Sequence, residues 1–312
     1  MQTIFGPVHS RRFGVSLGID LSAGIKQCNF DCLYCELAPS AAITRQTVSI
    51  PVSTILDELR IALTKHPDLD VITITANGEP TMYPFLGELI EQIDEIKGDI
   101  QTLILSNSAA LSTPSVFETL LKIDQVKLSL DAATEHTFAK IDRPAKGITI
   151  ETIIASIQNF SQHFQGKLFI EILFVKGIND SIEEIRALND VLLPIRCERI
   201  DIGTIDRPPA YPVNGLNFEE LFSIAEQFDP SLPIHIVSRK RAEAIPSSYT
   251  DEEILATLDK RPLSDDDVRA LFDSQTLERF THLLNEGKIT SMERTNVVFY
   301  LPTQNLHRKR SK

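Results

Sequence analysis

Three of the chain's four cysteines fall within eight residues, Cys28, Cys32 and Cys35 in "CNFDCLYC", while Cys197 lies far downstream. Gaps of three residues and then two restrict what these thiols can do. Structural zinc takes four protein ligands, commonly as two C-x2-C pairs, and here there is neither a second pair nor a histidine near the run. A disulfide suits an oxidising compartment. The N-terminus "MQTIFGPVHSRRFG" has no apolar secretory core, so a cytoplasmic location is expected, with free or metal-bound thiols. Ordinary buried cysteines have no reason to bunch on one loop. Three thiolates can instead hold a [4Fe–4S] cluster that leaves one iron open to a further ligand.

The surrounding pattern shows what must position that run. Six apolar segments bounded by turn residues read as buried strands: "VSLGID" (15–20), "DVITIT" (70–75), "IQTLILS" (100–106), "QVKLSLD" (125–131), "KLFIEILFV" (167–175) and "RIDIGTI" (199–205). Amphipathic helical patterns separate them, among them "VSTILDELRIALTKH", "PFLGELIEQIDEIK", "ITIETIIASIQNF", "DSIEEIRALNDVLL" and "NFEELFSIAEQF". This alternation implies an α/β fold of parallel strands covered by helices. Periodicity alone leaves an open doubly wound sheet and a partly closed barrel equally available. No stretch is apolar and long enough to cross a bilayer.

The C-x3-C-x2-C run, with aromatic Tyr34 before its last cysteine, resembles the signature of the radical S-adenosylmethionine (radical SAM) superfamily. That resemblance implies a (β/α)6 partial TIM barrel whose site lies at the C-terminal strand ends, and a [4Fe–4S] cluster held by Cys28, Cys32 and Cys35. It assigns "ANGEPT", with Asn77, Gly78, Glu79 and Pro80, to the methionyl amino group of S-adenosylmethionine. Ser106 and Asn107 match a polar pair ending the third strand, and Ser129 and Asp131 in "KLSLDA" match ribose contacts. Gly177 and Asn179 in "FVKGIND" fall near the adenine, as does the backbone of Tyr34. Taken singly these motifs have plainer readings: "NGEP" as a turn, Asp131 as the cap of a helix over "ATEHTFAKI".

The likeness narrows over residues 5–215. "GPVHSRRFGVSLGIDLS", "KQCNFDCLYCEL", "LSLDA", "FVKGIND" and "GTIDRPPAYPV" resemble the Fe–S oxidoreductase group related to tRNA wyosine-base (4-demethylwyosine) synthase. The resemblance implies an enzyme that cleaves S-adenosylmethionine to a 5′-deoxyadenosyl radical, with a flavodoxin or ferredoxin as reductant and tRNA or another RNA as substrate class. The chain departs from wyosine synthases in having no cysteine before Cys28, where those enzymes carry ligands for a second cluster. Glu171, which interrupts an apolar strand, and Arg143, Lys176, Asp206 and Arg207, near strand ends, are candidates for catalysis on the substrate side. Glu171 equally suits an ion pair with a neighbouring arginine.

Three regions follow: a barrel core over 1–240, a second unit over 241–303 and a basic tail over 304–312. In the second unit Thr250 and Glu253 form a capping-box pattern, Ser264 is a helix-capping residue, Gly287 closes a third helix and "KITSMERTNVVFYLP" reads as a hairpin. Three short helices and a hairpin suggest a winged-helix-like domain. Its third helix, 275–286, carries only Arg279 against two glutamates, a weak footprint for nucleic acid. The charge is uneven: residues 1–238 hold 18 Lys and Arg against 31 Asp and Glu, residues 239–312 hold 13 against 12. An acidic body is a poor non-specific binder of nucleic acid. A different function class, an Fe–S and S-adenosylmethionine-binding regulator with a DNA-binding winged helix, uses the same features.

Overall fold

The computed structural model describes residues 3–303 apart from 11, 23, 238–245, 247, 261, 295 and 296; the basic tail and most of the expected boundary near 240 lie outside the described residues. All six expected strands form, as β2 (Gly14–Asp20), β3 (Val71–Thr75), β4 (Gln101–Ser106), β5 (Gln125–Ser129), β6 (Lys167–Phe174) and β7 (Arg199–Thr204). They run parallel in sequence order. Two more extend the sheet: β8 (Ile234–Ile236), parallel to β7, and β1 (Ile4–Ser10), antiparallel to β2. A three-residue run and a strand containing Gly6-Pro7 carry too little periodic signal to be read in advance.

Alternation within each strand separates two faces. Ile72, Ile74, Leu128, Ile170 and Ile202 are fully buried beneath the helices. Their neighbours on the other face include Ser16 and Thr73, bonded at 2.7 Å, and Lys127, Glu171 and Asp201, so the lumen is polar. The sheet is strongly curled. Arg12, in the turn before β2, reaches Glu171 on β6 at 2.7 Å and Asp201 on β7 at 3.0 Å. In a flat sheet four strand spacings would put β6 about 19 Å from β2, beyond the reach of one side chain. A mostly parallel, curled and open sheet is a partial barrel.

The covering helices are α1 (Val52–Lys65), α2 (Leu86–Ile96), α3 (Pro114–Leu120), α4 (Glu135–Ile141), α5 (Ile150–His163), α6 (Ile182–Leu192) and α7 (Phe218–Ala225). Thr134 caps α4 by accepting from Thr137 N–H, so Asp131 is not that cap. The second unit runs α8 (Asp251–Lys260), β9 (Leu263–Ser264), α9 (Asp265–Leu271), α10 (Ser274–Asn285), β10 (Ile289–Arg294) and β11 (Val297–Pro302), with sheet order β10-β11-β9. Both expected caps form: Thr250 and Glu253 bond reciprocally, and Ser264 accepts from Asp267 N–H. Its core, including Ile254, Leu258, Phe272 and Phe280, takes in Val8 of β1, and the Tyr249 hydroxyl donates to the Pro7 carbonyl. The unit therefore covers the antiparallel edge of the barrel sheet.

Candidate functional site at the strand ends

Residues 21–51 leave the C-terminal end of β2 and carry the three cysteines across the mouth of the barrel. Beside Cys28 the loop is stitched to the extension of β3. Gln27 N–H donates to the Asn77 carbonyl, and Glu79 N–H returns a bond to the Gln27 carbonyl, each at 3.0 Å. Gly78 lies between them at φ 142°, where a Cβ would meet the Gln27 oxygen at 2.0 Å, so only glycine lets the two chains approach. Asn77 N–H donates to Asp20 and Ser22, and Pro80 opens a short 3-10 turn, Pro80–Met82. "NGEP" is thus a turn and also a brace for the cysteine loop.

Two further loops hold the other side. Asp31 N–H bonds to Asp142, Leu33 N–H to Ile141 and, in return, Ala145 N–H to Asn29, at 2.8 to 3.0 Å. After β7 a proline-rich strap crosses the cysteines: Ala210 N–H donates to the Cys35 carbonyl at 2.8 Å, Arg207 pairs with Glu36 at 3.2 Å, and Tyr211 donates to Asp31. Arg143, at φ 50°, stacks over the Tyr211 ring at 4.6 Å and approaches Asp31 at 3.5 Å. Arg143 and Arg207 therefore tie down the cysteine loop. Lys176 pairs with Glu220 on the rim at 2.5 Å, and Asp206 is exposed beside Arg207.

The thiols sit in a place that resists their ionisation while they are unliganded. Burial pushes Cys28 up to about 12, helped by Glu79. Cys32 is raised well above the usual range by burial, then by Asp142 and by the other two cysteines. Cys35 is raised by burial against the pull of Lys26. All four cysteines are free. Cys197 precedes β7, at the opposite end of the parallel strands, so this loop offers three sulfurs and no fourth. Among the described residues no three Cys, His, Asp or Glu side chains already stand as a metal-binding group; the loop brings the thiols near one another without closing them. Three soft sulfurs beside a buried ammonium, Lys26, fit an iron–sulfur cluster, since metal binding supplies the charge that deprotonates thiols.

Next to the cysteines, Tyr34, Asn107, Ser129 and Asp131 line a cavity walled by Phe30 and Phe138. Glu79 ties β3 to β4: one oxygen accepts from Thr81 N–H, the Thr81 hydroxyl and Ser106, the other from Asn107 N–H at 2.7 Å. Burial still raises its pKa. Asn107 reaches Cys28 Sγ at 3.7 Å and Asn29 at 2.6 Å. Asp131 accepts from Tyr34 and from Leu173 N–H, and burial raises it despite both bonds. Asn179 is consumed by the turn after β6, bonding the Asp131 and Leu173 carbonyls and Val175 N–H, while Gly177 supplies its positive φ.

Residues 24–188 match the profile of the Radical SAM superfamily. The chain belongs to that superfamily. Radical SAM proteins use a [4Fe–4S] cluster and S-adenosylmethionine. A UPF0026 protein of Helicobacter pylori strain J99 is 40% identical over 299 residues, covering 95% of this chain and 96% of the relative. The S-adenosyl-L-methionine-dependent tRNA 4-demethylwyosine synthase of Schizosaccharomyces pombe is 23% identical over 163 residues, which is 51% of this chain and 23% of that protein. In fold, the chain is similar to a radical SAM methyltransferase from Sphaerobacter thermophilus, with TM-score 0.57 and 15% identity over 72% of this chain and 67% of that one.

Within this radical SAM barrel, Glu171 stands apart from the cavity. Its carboxylate bonds Arg12 and, at 2.6 Å, Lys127. Burial alone would raise its pKa; Lys127 and Arg12 outweigh that and lower it to about 2. Asp201 joins the same network through Arg12, Arg199 and His235. The ion-pair reading of Glu171 is the one this geometry fits. Lys26, Asn29, Asp31, Asp142 and Tyr211 escape the sequence reading. Asn29 and Asp31 lie inside the cysteine run itself, the one signal that could have found them; Tyr211 and Asp142 become visible only once distant loops meet.

Proposed function

We propose that this protein is a radical SAM enzyme in which Cys28, Cys32 and Cys35 hold a [4Fe–4S] cluster, and that it modifies tRNA or another RNA. The observation that carries the reading is the placement of three thiols on a loop braced against Asn77, Gly78 and Glu79, with Cys197 at the far end of the barrel. When bound, the cluster and S-adenosylmethionine supply reductive cleavage of a sulfonium C–S bond and a 5′-deoxyadenosyl radical that abstracts hydrogen from substrate. Lys26 sets an ammonium beside Cys35 and Cys28 to balance negative charge. Asn107 offers an N–H to Cys28, and hydrogen bonds to cluster sulfurs tune potential. Tyr34, Ser129 and Asp131 offer the cavity's polar contacts, and Phe30 and Phe138 keep water from it. The strap over Cys35 screens the loop from solvent.

The RNA class rests on the likeness to the tRNA 4-demethylwyosine synthase, in a chain without cysteines for a second cluster. A flavodoxin or ferredoxin is the proposed reductant. The order helix–strand–helix–helix–strand–strand in 251–302 supports a winged-helix-like unit. Arg279, the sole Lys or Arg on α10, donates to the Tyr249 carbonyl at 2.6 Å, which favours a packing role within this unit over nucleic-acid binding and counts against the DNA-binding regulator. Comparing tRNA nucleosides from cells with and without the protein tests the substrate class. Loss of a modified nucleoside, restored by the wild type and not by Cys32→Ala, is expected; an unchanged profile moves the substrate outside tRNA.

A further inference from the structure

Lys127 is 6% exposed and sits on the inner face of β5, two residues or about 7 Å below Ser129. Its ammonium rises to Glu171 Oε2 at 2.6 Å, and Glu171 lies opposite Ser129 in the strand register. The charge therefore stands in the lumen below the strand-end cavity, and Lys127 is not among the residues that line that cavity. Solvent reaches this level. The Glu171 side chain is 26% exposed and that of Arg12 23%, although helices cover the outer face of the sheet.

Donors outnumber acceptors here. Both Glu171 oxygens are taken, one by Arg12 and one by Lys127. Asp201, fully buried, is shared by Arg12, Arg199 and His235. The layer thus sets three cations, Arg12, Lys127 and Arg199, against two carboxylates. Arg199 is engaged by both Asp201 oxygens and stacks on Phe169 at 4.8 Å. Lys127 has three N–H donors and, among the described residues, pairs with Glu171 alone; Arg12 spends only Nη1 on its carboxylates. A buried cation with unserved donors is costly. Burial holds the Lys127 pKa below its ordinary value in spite of Glu171, so a further anion would stabilise the ammonium.

We propose that Lys127 and Arg12 form an oxyanion site in the barrel lumen, holding a terminal carboxylate or phosphate of the substrate. Arg12 enters from the N-terminal end of β2 and crosses the lumen to β6 and β7, so the ligand arrives from the strand ends with its charged terminus leading. This deepens the proposed function and rests on it for placing the chemistry at the strand ends.

The test is equilibrium binding of labelled inorganic phosphate and acetate to the full-length, reconstituted, unreduced protein at constant ionic strength. Saturating S-adenosylmethionine is present to occupy the open iron. Wild type should bind at least one anion at a single saturable class of site; preference for phosphate marks a phosphorylated substrate, preference for acetate a carboxylated one. Lys127→Met leaves Glu171 paired with Arg12 and should raise Kd at least tenfold, while Lys127→Arg keeps the charge and should stay nearer the wild type. A purely structural role predicts a lower melting temperature in Lys127→Met with unchanged Kd. No saturable binding of either anion by wild type, or affinity within threefold in folded Lys127→Met, overturns the site; if that variant does not fold, the same affinity in Lys127→Gln does so. 5′-Deoxyadenosine formation is scored in the same preparation: its absence with anion binding intact fails the radical SAM reading and spares the site, and the reverse fails the site alone.

Discussion

Gln27 and Gly78 bring the cysteine loop and the end of β3 within a Cβ's width of each other, so that the backbone before Cys28 is continued as a strand partner of the "NGEP" segment. The position of Cys28 is thus set by the sheet beneath it and not by the loop alone.

Gly78→Ala tests that relation. A Cβ at φ 142° and 2.0 Å from the Gln27 oxygen forces the two backbones apart and adds strain of about 1–3 kcal/mol. Reconstitution should give clearly less iron per chain than wild type, and the urea midpoint should fall. Full iron content would show that the brace is dispensable.

Glu79 is a tie between strands, so Glu79→Gln should act on stability as well as on cofactor binding. The amide turns an NH2 toward donors that now meet a carboxylate, at a cost of about 1–3 kcal/mol. Thermal unfolding of the protein without cofactor reads it directly. An unchanged midpoint would place the role of Glu79 wholly in the ligand.

The lumen network makes stability depend on acid. Glu171 is lowered from 4.5 to about 2 in the fold, so its contribution is complete above the unfolded value and is lost as pH falls toward 2. Glu171→Gln should destabilise at pH 7, by up to about 3 kcal/mol, and flatten urea stability between pH 4.5 and 2. A variant with wild-type pH dependence would exclude this network as the cause.

Asp131 behaves oppositely. Burial raises it, so its share of stability is full in the ordinary acid range and is lost as pH climbs through the raised folded value. Asp131→Asn should therefore stabilise the cofactor-free protein at pH 8, by up to about 4 kcal/mol, with little effect at pH 4. The same variant should bind S-adenosylmethionine more weakly, stability exchanged for function.

Much of this architecture is legible in local pattern. The six apolar runs mark β2–β7 within two residues because Ile and Leu alternate with lumen residues under amphipathic helices. Cysteine spacing marks the loop, and the capping-box pattern at Thr250 marks α8. Long-range pairing is not legible. Arg143 and Arg207 stand near strand ends, as a catalytic residue would, yet Asp31, Tyr211 and Glu36 come to them from other loops. Glu171 breaks an apolar strand for a partner, Arg12, 159 residues away. Asp142 gives no signal at all, because its chemistry depends on which loop α4 ends against.

The most direct test of the account is 5′-deoxyadenosine formation by the anaerobically reconstituted, reduced protein supplied with S-adenosylmethionine. The wild type should give 5′-deoxyadenosine and methionine, and Cys28→Ala, Cys32→Ala and Cys35→Ala neither product nor cluster absorbance, with Cys197→Ala unaffected. A fully loaded wild type that releases no 5′-deoxyadenosine, or a Cys32→Ala variant that still does, would contradict it.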